Sequence, residues 1–146
     1  MERDDRMLSQ VPALIAAAGL VIGLSLPAPS VLAQGQPLAG SVLEGVFTAA
    51  QADRGESTWR EACASCHETT EFSGARFRLS WVGRTAGDLF DTISTLMPEG
   101  NPGSLSPDEY ASVVAYLFRL NGYTAGEIEL PEDFRAASFF EVQERA

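Results

Sequence analysis

The chain has 146 residues, 45% of them hydrophobic, and a formal net charge of −10 at pH 7. That is room for one globular domain with extensions, and it is too apolar for a disordered chain. Every basic side chain is an Arg, and so acidic a balance argues against nucleic acid or an anionic membrane as the main partner. It suits a protein that meets a basic patch on another protein, or one that is simply soluble.

Residues 11–26 form a nearly continuous apolar run, followed by Pro27, Pro29 and Val31-Leu32-Ala33. The run is too short to span a bilayer and ends in small residues, the layout of a secretory signal. Residues 1–33 are therefore expected to be a signal peptide, and the protein periplasmic or otherwise exported, with no stable membrane insertion after cleavage. Arg3 and Arg6 are outnumbered by Glu2, Asp4 and Asp5, so an uncleaved anchor is the alternative. Residues 34–146 keep 8 basic against 17 acidic residues, a formal −9, and hold one Met (Met97), one His (His67) and two Cys.

A lead-in over 34–47 carries Gly35, Pro37, Gly40 and Gly45. Thr48-Ala-Ala-Gln51 then reads as a capping box. It opens a helix with Ala52, Gly55, Trp59, Ala62 and Cys63 on one face. Gly55 costs this helix about 1 kcal/mol against Ala, which predicts close approach of another helix there. Residues 68–84, rich in Gly, Ser, Thr and charge, read as a loop wrapped around something. Thr85-Ala-Gly-Asp88 opens a second helix, with Leu89, Phe90, Ile93 and Leu96 as its buried stripe. Pro98 stops it, leaving Met97 at or just past its end.

After a turn-rich loop at 99–105, Ser106, Pro107 and Glu109 start the clearest helix. Its apolar face is Tyr110, Val113, Val114, Leu117 and Leu120, and Asn121-Gly122 ends it. From Tyr123 onward an extended segment leads to a short C-terminal element with Phe134, Phe139 and Phe140. There is no internal repeat and no strand-like alternation. The expected fold class is all-α, three to five helices, with the domain at 48–126 and an extension over 127–146 packing on it.

The chemistry sits at Cys63-Ala-Ser-Cys66-His67. Two thiols on one turn of chain can add to the two vinyl groups on one edge of a haem, and the adjacent His then projects under the ring to the iron; C-x-x-C-H is the attachment signature of haem c. Three other readings compete. A thioredoxin-like pair needs a strand-to-helix setting, whereas here a helix leads into the motif. A zinc site wants four ligands, and residues 34–146 offer three without recruiting a carboxylate. A plain Cys63–Cys66 disulfide suits an oxidising compartment but leaves His67 without a role. One covalently attached haem c is the expectation that uses all three residues.

A six-coordinate iron needs a second axial ligand, and Met97 is the candidate: Met/His is a usual electron-transfer pairing, and a loop past a helix end can bring a side chain to the iron. Met97 as a gap-filling core residue is the alternative. The predicted haem walls are Trp59, Leu89, Phe90, Ile93, Leu96 and Leu117.

Gly55-x₃-Trp59-x₃-Cys63-x₂-Cys66-His67, Val114-Ala-Tyr-Leu117 and Met97-Pro98 together resemble a class I cytochrome c. Gly83-Arg-Thr, Pro102-Gly-Ser-Leu-Ser106 and Asn121-Gly-Tyr are similar to the monohaem domains associated with periplasmic quinoprotein dehydrogenases. The resemblance covers roughly residues 45–130. It implies a cytochrome c fold around one haem c, His67 and Met97 as axial ligands, and Tyr116 packed on Gly55 where two helices cross. It further implies a one-electron carrier rather than an enzyme, serving redox partner proteins (a dehydrogenase, an oxidase or another cytochrome). A haem-based sensor with a weakly held sixth position is the alternative function. The chain departs from the family in having Glu68 after the haem His. Residues 68–84 also lack the Pro whose carbonyl orients that His, so the acceptor of its other N–H is unassigned. Trp81 and Arg84 are candidates for contact with the haem propionates, or else a core Trp and a surface Arg.

Overall fold

Capping chemistry sets the helix starts. The computed structural model describes residues 40–145; the expected signal peptide at 1–33 and the lead-in as far as residue 39 lie outside the described residues. In chain order the elements are β1 (Gly40–Ser41), a 3-10 turn at Val42–Glu44, α1 (Ala49–Ala62), a 3-10 turn at Thr69–Phe72, α2 (Gly74–Trp81), α3 (Ala86–Leu96), α4 (Pro107–Leu120), α5 (Phe134–Ala137) and β2 (Phe140–Glu141). Strand pairing among the described residues amounts to a two-residue parallel pair and one isolated bridge, Thr85 with Glu141, so the fold is all-α, as expected.

Two of the α-helices, α3 and α4, begin with complete capping boxes. At α4, Glu109 N–H donates to Ser106 Oγ (3.3 Å) and Ser106 N–H to Glu109 Oε2 (2.7 Å), with Pro107 at the first helical position. At α3, Thr85 and Asp88 make the same exchange. Donation from these backbone amides holds both carboxyls below their ordinary values, at Asp88 and Glu109 alike.

The box predicted at α1 is only half formed. Thr48 Oγ1 accepts from Gln51 N–H (3.0 Å), but the Gln51 side chain does not return. It is fully buried and clamps Leu130 instead: Gln51 Nε2 donates to the Leu130 carbonyl (2.9 Å) and Leu130 N–H donates to Gln51 Oε1 (2.8 Å). A buried amide pair from a distant segment outcompetes the solvated cap because its groups have no water to turn to. Gln51→Ala leaves a buried N–H and C=O without partners. It is expected to cost about 2–4 kcal/mol, read as a lowered denaturant midpoint together with faster proteolysis near residue 130.

α1 and α4 pack as the central pair. A Cβ built on Gly55 would lie 1.8 Å from the Ser112 carbonyl oxygen and 2.3 Å from its carbon. The close approach predicted from this glycine is present, but its partner is main chain of α4. The Tyr116 ring, expected at this crossing, packs against Trp59, with ring centroids 6.0 Å apart. Arg119 closes the same crossing from α4, reaching the Asp53 and Glu56 carboxylates and the Ala52 carbonyl. On the far flank of α4, Phe118 gathers Phe47, Phe77 and Tyr123 at centroid distances of 6.2, 6.3 and 5.5 Å.

Residues 68–84 are not the irregular loop expected. They fold as a 3-10 turn and α2, because Phe77 is the one side chain there that buries fully, in the cluster around Phe118. One anchoring residue per two turns leaves no stripe to read. The C-terminal stretch then closes the fold. β2 pairs in parallel with β1 (Gly40 with Phe140, Ser41 with Glu141), Val142 is fully buried, and its main chain exchanges bonds with Gly83 N–H (2.9 Å) and the Arg84 carbonyl (2.8 Å).

Candidate functional site

The last turn of α1 delivers the cysteines. Cys63 caps the helix, its N–H donating to the Trp59 carbonyl (2.9 Å), and the Cys63 carbonyl accepts from both Cys66 N–H (3.1 Å) and His67 N–H (3.0 Å). The five-residue motif is thereby wound into one turn, with His67 stacked a turn beyond Cys63. The two thiols are unbridged; Cys63 is half-buried and Cys66 exposed. Burial pushes the Cys63 thiol up from its ordinary value, opposite to the depressed value of a redox-active or metal-binding thiolate. Among the described residues no three His, Cys, Asp or Glu side chains converge as a metal cage, so the zinc reading has no geometric support.

Cys63, Cys66, His67 and Met97 all line one cleft of about 320 Å³, at the low end of the roughly 300–1,000 Å³ of cofactor sites. Its walls are Trp59, Phe72, Trp81, Leu89, Ile93 and Leu117, with Leu96, Pro98 and Glu99 among the other lining residues. Five of the six predicted walls are therefore in place. Phe90 is not among them: the register of α3 turns it to the other side, where it packs edge-on against Tyr110 at 6.2 Å. Phe72, Thr92 and Val113 line the cleft without having been expected to. Phe72 was hidden in a stretch read as loop.

Met97 occupies the C-cap of α3 in extended backbone, its N–H donating to the Ile93 carbonyl (2.9 Å). Its own carbonyl accepts from the Tyr110 hydroxyl (2.8 Å), which in turn accepts from Leu105 N–H (3.4 Å). Tyr110 thus holds the Met97 backbone from α4. In the sequence it is only a member of an apolar stripe, although a buried Tyr needs a partner for its hydroxyl, and that was the available signal.

The imidazole of His67 sits between aromatic rings, edge-on to Phe72 (centroids 5.2 Å apart, 86° between planes) and tilted to Trp59 (6.3 Å). Its Nδ1 is 3.1 Å from Glu71 Oε2, which leaves Nε2 as the nitrogen free to take a ligand's place. Glu68, the expected carboxylate beside the motif, is exposed and is not part of the cleft wall. Trp81 lines the cleft, and the Arg84 guanidinium lies over its ring at 4.5 Å; Arg84 itself is outside the lining and 4.0 Å from Asp88.

Residues 50–117 match the family model described as cytochrome C oxidase, cbb3-type, subunit III, a c-type cytochrome. The match supports a cytochrome c domain. No curated protein and no solved structure matches the chain. A cytochrome c domain implies covalently bound haem c, is typically an electron carrier, and works with redox partners. The donor set of the cleft fits that group: two unbridged thiols on one turn, an imidazole with one nitrogen already engaged, and a thioether, all bordering an apolar space. No helix among the described residues is long and apolar enough to cross a membrane.

Proposed function

We propose that this chain is a soluble monohaem c-type cytochrome carrying single electrons between a periplasmic dehydrogenase and the respiratory chain, exported by the signal peptide at 1–33. The observation that carries the reading is that Cys63, Cys66, His67 and Met97, scattered over 35 positions, border a single apolar cleft. Bound haem supplies the Fe(II)/Fe(III) couple. Cys63 and Cys66 would hold it through thioether bonds, and His67 Nε2 and the Met97 sulfur would ligate its iron. Trp59, Leu89, Ile93 and Leu117 keep water from the cleft, while exposed Cys66 and Leu96 mark the side open to a partner. A carrier is favoured over a haem-based sensor because the Met97 main chain is tied at both N–H and C=O, which holds its side chain at the cleft.

Purified protein should show a haem c absorption spectrum in alkaline pyridine and a mass increase of one haem per chain that survives denaturation. The double variant Cys63→Ala, Cys66→Ala should lose the mass increase entirely. A native protein without covalent haem ends the proposal.

A further inference from the structure

Residues 68–84 contain no proline, so the His67 imidazole must find its acceptor elsewhere. The chain leaves the motif at Glu68 and winds at once into the 3-10 turn Thr69–Phe72, with Glu71 N–H donating to the Glu68 carbonyl (3.0 Å). That turn brings Glu71 Oε2 to 3.1 Å from His67 Nδ1. The carboxylate is on a fixed support. Asn121, at the end of α4, donates through Nδ2 to the Phe72 carbonyl (2.8 Å) and accepts through Oδ1 from Gly74 N–H (3.0 Å), so the chain on either side of Ser73, directly after Glu71-Phe72, is tied to the central helix. The Phe72 ring meets the imidazole edge-on, limiting its rotation.

We infer that Glu71 is the positioning residue of the haem-facing imidazole: its carboxylate accepts the Nδ1–H of His67, fixes the tautomer with Nε2 free, and makes the ring a more electron-rich ligand. The inference rests on His67 ligating the iron. A charged acceptor makes roughly twice as strong a hydrogen bond as a neutral carbonyl, and an acceptor on the far nitrogen of a ligating His raises the ligand's basicity. A more basic ligand favours the oxidised over the reduced iron, so Glu71 holds the reduction potential below that of the same site with a neutral acceptor. The contact itself is worth little to stability, because both side chains are partly exposed, 29% and 42%. Potential and stability therefore separate the two roles.

The test uses the haem-loaded protein and its Glu71→Gln variant, which keeps the shape and removes the charge. The reduced form should gain about tenfold over the oxidised form, an upward shift of about 59 mV for a one-electron couple, with the thermal midpoint of unfolding unchanged. In the reduced, diamagnetic protein the Nδ1 proton resonance of His67 should move upfield. Glu68→Gln removes a neighbouring charge that makes no hydrogen bond to the imidazole, and it should leave that resonance in place and move the potential far less. The inference is overturned if Glu71→Gln has the native potential and an unmoved resonance, or if Glu68→Gln shifts the potential equally. Failure of the underlying reading looks different: the native protein itself would lack covalent haem or Nε2 ligation.

Discussion

Gly55→Ala should destabilise the protein by about 3 kcal/mol, although Ala favours the helix over Gly by about 1 kcal/mol. The new Cβ would stand 1.8 Å from the Ser112 carbonyl oxygen. Neither of the colliding groups is a side chain that can swing away, so α1 must slide off α4. Overpacking of this kind costs typically about 1–3 kcal/mol and occasionally more, and a clash between two backbones belongs at the upper end. The measurement is urea unfolding of the haem-loaded protein, with a lower midpoint and an unchanged slope. Gly100→Ala is the control: nothing lies within 4 Å of a Cβ there, so its effect should be close to zero. A Gly55→Ala midpoint at or above the native one would mean that the two helices do not cross at this point.

Met97→Ala is the second large effect. It removes the only sulfur besides the two cysteines in residues 34–146. The sulfur-to-iron charge-transfer band should vanish and the potential fall by on the order of 100 mV, part of the roughly 0.8 V range that axial ligands span. Carbon monoxide should then bind the reduced variant rapidly and the native protein slowly. Retention of the band would assign the sixth position to another group. Rapid carbon monoxide binding by the native protein would favour the sensor reading.

The helices that position the cleft were legible because their signals are local. Ser106-Pro107 with Glu109, and Thr85 with Asp88, satisfy amides within one turn, so the residues carry their own evidence. Gly55 was legible by its cost, an unfavourable residue in the middle of a helix whose compensation had to be a close neighbour. What escaped depends on distant partners. Gln51 has the spacing of a cap, yet Leu130, 79 positions away, takes its side chain. In α2 only Phe77 is fully buried, and a single buried residue has no periodicity. Phe90 and Leu89 are adjacent members of one stripe, and only the crossing of α3 with α4 decides which faces the cleft and which faces Tyr110. For the site, the cysteines, His67 and Met97 were named by scarcity and spacing. Tyr110, Phe72 and Glu71 are common residue types in unremarkable positions, and nothing short of the folded chain brings them to Met97 and His67.

The pairing of elements also imposes an order in time. Apart from Trp59 and Ala62, what lines the cleft over the Cys63–His67 turn comes later in the chain: Leu89, Ile93 and Leu117 form its walls, α4 supplies the surface on which α1 packs, and β1 waits for β2. A chain that emerges N-terminus first therefore presents Cys63, Cys66 and His67 before the walls from α3 and α4 exist. Closing a contact across a long separation is also slow compared with winding a helical turn. The two thiols pass through an interval of free access, on a turn stabilised by its own backbone bonds, in which a ligation apparatus could reach them without having to open a finished protein.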